Sequence, residues 1–161
     1  MNNTINEKAI QDLNGLLQRN KDAAEGFVEV ANNINYINLT QWLIDWSKRH
    51  RHYADELAVM IEKMGGEANE STTLLGELHH AWVDLKAQWT NNDTEALMEE
   101  CYRGEEKIWN DYSEVVGVYA LPDYAKSILN RQRNEIKRAL QDIEALKISY
   151  KNAEQAEVSS T

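Results

Sequence analysis

The chain has 161 residues, 42% of them apolar and 27% charged, with a single proline and seven glycines. That length suits one domain around one core, and so few chain breakers favour long helices over a many-turned β fold. A net charge of −10 and a pI of about 4.9 argue against a general nucleic-acid binder or an anionic membrane face as partner, because phosphate contacts need a basic surface.

No apolar run approaches the roughly 18 to 20 residues of a membrane span, and the polar start MNNTINEK has no signal-peptide core. A soluble cytoplasmic protein is the expectation. The single Cys101 leaves no partner for an intramolecular disulfide and no multi-cysteine metal site. Lying on an apolar stripe, it reads as an inert core thiol.

The first helix is expected over residues 5–34, opened by a capping box of Thr4 and Glu7. Ile5, Ala9, Leu13, Leu16, Ala24, Phe27 and Ala31 form its buried stripe, with Asn20 in the middle. Asp22, Glu25 and Glu29 project onto the opposite face. The second helix is expected to start near Leu39 and to stop at Gly65-Gly66, which supply a C-terminal cap. Its stripe carries Trp42, Leu43, Trp46, Tyr53, Leu57 and Met60, and also His50. His52 and Glu56, spaced i, i+4, share a flank and read as a surface pair.

A shorter third segment, residues 73–90, places Leu75, Leu78, Trp82, Leu85 and Trp89 on one side. Its Glu77-Leu78-His79-His80 has the E-x-x-H spacing of bundle metal sites, but Glu77 and His80 point away from the Leu/Trp stripe and read as a solvated face. The next helix begins after Asn92, which stands in capping-box spacing to Glu95. Leu97, Cys101, Ile108, Tyr112, Val115 and Tyr119 trace its stripe, and Glu105 lies about 40° from the stripe's centre at 100° per residue. Glu106 points away. Pro122 marks the start of a last helix over residues 123–150, with Tyr124, Ile128, Ala139, Ile143, Leu146 and Tyr150 on its stripe together with Gln132, Glu135 and Asp142. Residues 1–151 therefore read as one all-α domain, and 152–161 as a polar, frayed tail.

Four long helices and one shorter crossing segment fit a four-helix bundle whose long connection lies between its second and third main helices, the up-down-down-up order of ferritin-like folds. Each main helix carries a polar residue near its midpoint on its own apolar face: Asn20, His50, Glu105, and Gln132 with Glu135. In one antiparallel bundle these groups converge on a single layer. Either they satisfy one another as a buried network, or Glu105, Glu135 and His50 bind iron, manganese or zinc, with Asn20 and Gln132 behind them. A di-iron bundle takes a carboxylate from each of two helices and Glu-x-x-His from each of the other two. This chain falls short of that set, so a metal-free polar core is the leading expectation. No phosphate-binding glycine loop or GxSxG is present, and no catalytic residue is assigned.

Several segments together resemble a family of small bacterial ferritin-like four-helix-bundle proteins known as a domain of unknown function. They are Asp22-Ala23-Ala24-Glu25-Gly26-Phe27, Glu56-Leu57 followed by Met64-Gly65-Gly66, Gly76-Glu77-Leu78-His79 with Trp82-Val83-Asp84-Leu85-Lys86, and Arg103-Gly104-Glu105 followed by Tyr112. The resemblance spans roughly residues 7–147. It implies the ferritin-like fold and a stress association without an established reaction. The expected role is non-enzymatic, stress-associated or protein-interacting, in a homodimer or higher homo-oligomer, with metal binding or ferroxidase-like chemistry as the alternative.

Overall fold

The computed structural model describes residues 2–69 and 93–160, and these form four helices: α1 (Asn2–Ala31), α2 (Ile37–Lys63), α3 (Thr94–Val118) and α4 (Asp123–Ser159). The expected crossing segment over residues 73–90, with Glu77, His79 and His80, lies outside the described residues. Among the described helices none is long and apolar enough to cross a membrane.

Local chemistry sets most helix ends. At the end of α2 the Gly66 amide donates to the Ile61 carbonyl at 3.0 Å and the Gly65 amide to that of Glu62 at 3.0 Å, with Gly65 at φ 86°. That is the paired bonding of a Schellman cap, which needs a residue able to adopt the left-handed conformation. The following turn packs closely on α1, since a Cβ on Gly66 would stand 2.6 Å from Ile10 Cγ2. At the start of α3 the capping residue is Asp93, one position after the expected Asn92, and its carboxylate accepts from the Ala96 amide at 3.0 Å. The starts of α1 and α2 differ too, whereas α4 begins at Asp123 as expected. Thr4 lies inside α1 instead of capping it, and α2 begins at Ile37 behind Tyr36, which makes no side-chain cap bond. The last helix does not end near Tyr150: it continues to Ser159, through Ala153, Glu154, Gln155, Ala156 and Glu157, whose helix propensities favour propagation.

Side-chain pairs fix the helix directions. Asn6 with Met64, Asn20 with His50 and Ala24 with Ser47 make α1 and α2 antiparallel. Asp12 with Tyr119 and Arg19 with Asp111 make α1 and α3 antiparallel. Tyr112 with Gln132 and Glu95 with Lys151 do the same for α3 and α4, as Glu56 with Gln132 and Trp42 with Asp142 do for α2 and α4. Thus α1 and α4 run one way, α2 and α3 the other, and the order around the bundle is α1, α2, α4, α3. Helices α2 and α3 face each other across its axis.

The core is one continuous cluster drawn from all four helices, with Leu13, Leu16 and Leu17 from α1, Leu43, Leu57 and Ile61 from α2, Leu97, Met98 and Ile108 from α3, and Leu129, Ile136 and Ile143 from α4. Helix α4 is rotated from the expected stripe, burying Ala125, Leu129 and Ile136 while Tyr124 is 39% exposed. Asp142 is on the surface, accepting from Trp42 Nε1 at 3.2 Å.

Asp22 also departs from expectation: it is buried on α1, where Gln18 Nε2 donates to its Oδ1 at 3.1 Å. Burial, offset in part by the Gln18 hydrogen bond and reinforced by nearby Glu25, pushes its carboxyl up to about 6 from 3.8. In the unfolded chain the group ionises first, so between about pH 4 and pH 6 the unfolded state gives up a proton that the folded state keeps, and stability falls as pH rises. Asp22→Asn, which keeps an acceptor for Gln18, is expected to stabilise the protein by on the order of 1 kcal/mol at pH 7. Urea denaturation below about pH 4 should show no difference between the two proteins.

Candidate functional site: a buried polar layer across the bundle axis

Halfway along the bundle the apolar packing is interrupted. Asn20 from α1, His50 from α2, Glu105 from α3 and Gln132 from α4 are all 0% exposed. A buried polar group without a partner costs on the order of 1–3 kcal/mol, and a charged one more, so the bonding of these four side chains decides whether the core tolerates them.

Three of them are joined in sequence. His50 Nε2 lies 2.6 Å from Glu105 Oε1, a contact that spans the bundle axis from α2 to α3. The other ring nitrogen, Nδ1, lies 2.7 Å from Asn20 Oδ1. The Asn20 amide cannot be turned round, because its Nδ2 donates to the Leu16 carbonyl at 2.8 Å and to Tyr112 Oη at 2.9 Å. A carbonyl only accepts, so Oδ1 must face His50, and His50 Nδ1 carries a proton. The contact between Nε2 and Glu105 Oε1 therefore holds one further proton, shared by the pair.

The bonding continues toward α4. Tyr112 Oη, having accepted from Asn20, donates to Gln132 Oε1 at 2.6 Å, and Gln132 Nε2 donates to Glu56 Oε1 at 3.2 Å. Glu56 is held in turn by Arg131 and by His52, whose Nε2 is 3.3 Å away. Each donor from His50 onward points the same way, away from the buried pair and toward the carboxylate at the bundle surface. Bonds aligned in this manner polarise and strengthen one another. Tyr112 is itself fully buried, and desolvation raises its hydroxyl well above the usual phenol range, which keeps it a neutral donor.

Aromatic rings close the layer around the imidazole. Tyr53 and Phe27 meet it edge-on at 5.7 and 5.6 Å between centroids. These contacts, with Trp46 at 6.1 Å, fix the ring plane that aims Nε2 at Glu105.

The structure brings together four of the five residues singled out from sequence and separates the fifth. Glu135, expected to face the core beside Glu105, has a side chain that is 25% exposed; it accepts from Tyr53 Oη and lies 3.7 Å from Arg131 and 4.0 Å from Arg49. The rotation of α4 that buries Gln132 turns Glu135 outward. In its place the layer uses Tyr112 and Glu56. Tyr112 was legible as an apolar stripe residue but not as a polar one, although its position two helical turns after Glu105 put it on the same face. Glu56 is both the surface partner of His52 and the outer end of the network.

As a chemical site the layer is closed. Both nitrogens of His50 are engaged, and among the described residues no three His, Cys, Asp or Glu side chains are grouped as metal ligands would be. Glu105 Oε2 is the exception, a buried oxygen without a hydrogen-bond partner. Cys101, one turn before Glu105, is buried and has its thiol pushed up to about 12, mainly by desolvation and then by Glu105. It is an unreactive thiol at neutral pH.

A family model described as Domain of unknown function (DUF2383) matches residues 8–117, from α1 to the penultimate residue of α3. The match takes in Asn20, His50, Glu56, Glu105 and Tyr112 and stops short of Gln132. No curated protein matches the chain.

Proposed function

The chain belongs to the family described as Domain of unknown function (DUF2383), and on that premise we propose a ferritin-like bundle with a non-enzymatic, stress-associated or protein-interaction role. The observation that carries the non-enzymatic part of this reading is the engagement of the polar layer with itself: His50 Nδ1 with Asn20 and His50 Nε2 with Glu105. A buried network of that kind fixes which residues of four helices stand at one height, a register role attested for buried polar groups in bundles. The helix directions, α1 and α4 opposed to α2 and α3, support the ferritin-like order.

One observation favours a second reading. Glu105 Oε2 is buried without a partner, and a cation there would satisfy it. In that alternative iron, manganese or zinc is held by His50 and Glu105, with Glu135 swinging inward from Tyr53 as third ligand. Elemental analysis of protein purified without a histidine tag decides between them. The network reading expects less than about a tenth of an equivalent of metal after anaerobic iron loading. Near-stoichiometric metal that disappears in Glu105→Gln would overturn it.

A further inference from the structure

Helix α2 carries a self-complementary stripe on its outer face. Asp55, Val59 and Lys63 are spaced i, i+4, i+8, so they follow one another along the same side at about 6 Å per step. All three are exposed, Val59 at 55%. Together with Met60, Tyr124 and Ile128 they line a groove of about 320 Å³ between α2 and α4. Tyr124 is 39% exposed, with Lys63 Nζ 5.5 Å from its ring centroid. Apolar side chains clustered on a surface mark an interaction site when something rims them with polarity, and here opposite charges do so at the two ends.

From this symmetry we infer that the α2 stripe and its groove are the contact face of a homodimer, with a second copy of the chain docked antiparallel about a two-fold axis at Val59. In that arrangement Val59 meets Val59, and Asp55 of each chain meets Lys63 of the other, so one helix supplies two identical ion pairs and an apolar centre. An isologous interface demands such self-complementarity, and a partner of any other kind would not need the charges equidistant from the central valine. Glu56, which would otherwise approach Glu62 of the second copy, is drawn toward α4 by Arg131. This rests on the interaction role proposed above and names both its partner and its surface.

Sedimentation equilibrium of the full chain across a concentration series tests it by charge exchange. Asp55→Lys or Lys63→Asp alone turns both ion pairs into repulsions and is expected to weaken the dimer at least roughly tenfold. The double variant Asp55→Lys/Lys63→Asp restores opposite charges and should recover most of the wild-type association. Circular dichroism verifies that each variant is folded. A dimer indifferent to either single exchange overturns this face while leaving self-association intact. A chain that stays monomeric throughout overturns the face and the homo-oligomer together.

Discussion

Glu105→Ala is expected to lower the free energy of unfolding by about 3 kcal/mol, whereas Glu106→Ala should change it by less than about 0.5 kcal/mol. The two glutamates are neighbours of identical composition and near-identical helix propensity, and they differ in where the helix points them. Glu105 is 0% exposed and bonded to His50; Glu106 is on the surface. Removing the Glu105 carboxylate leaves His50 Nε2 without a partner in a ring of aromatic side chains and opens a cavity beside Cys101. Urea denaturation of both variants at pH 7 reads the difference.

Tyr112→Phe is the second large effect, expected at about 2 kcal/mol. The substitution keeps the ring and its packing and deletes one oxygen, but that oxygen joins two buried amides. Without it Asn20 Nδ2 loses one of its two acceptors and Gln132 Oε1 loses its donor. Tyr119→Phe is the natural control: its hydroxyl bonds to Asp12 at 2.5 Å in a part-buried position, where water can replace the lost group, and the cost should stay below about 1 kcal/mol. Thermal unfolding followed by circular dichroism separates the two.

The features legible in the sequence were those in which residue type contradicted its surroundings. Asn20, His50, Glu105 and Gln132 are polar residues at apolar stripe positions, and a helix of fixed 100° period has no other direction in which to aim them. Asn20, His50 and Glu105 stand near the middles of their helices, whereas Gln132 lies in the first third of α4 because that helix continues to Ser159. Tyr112 escaped notice as a polar partner because tyrosine satisfies an apolar pattern as well as a hydrogen-bond network. Glu135 and Asp142 were aimed inward by a stripe anchored on Tyr124 and Ile128, whereas packing turned α4 toward Ala125, Leu129 and Ile136. Asp22 is another departure: its i, i+4 partner Gln18 is set by position on α1, whereas its burial is not specified by the pattern of α1 alone.

Helix ends were legible where backbone geometry demanded a particular residue and illegible where it did not. Gly65 supplies a positive φ that nearly every other residue resists, so the end of α2 stood out. Thr4 lies inside α1, which begins at Asn2, because neither Asn2 nor Asn3 is a helix breaker. The extension of α4 to Ser159 has the same cause in reverse: no breaker follows Tyr150.

His50 and Glu105 form one coupled unit across the bundle axis, and a double-mutant cycle measures that coupling directly. His50→Leu and Glu105→Leu each strand a buried polar partner and should each cost about 3 kcal/mol, while the double variant replaces both with apolar side chains and should cost less than the sum by about 2 kcal/mol or more. Additive losses from the two substitutions would contradict the pairing and the closed polar layer built on it.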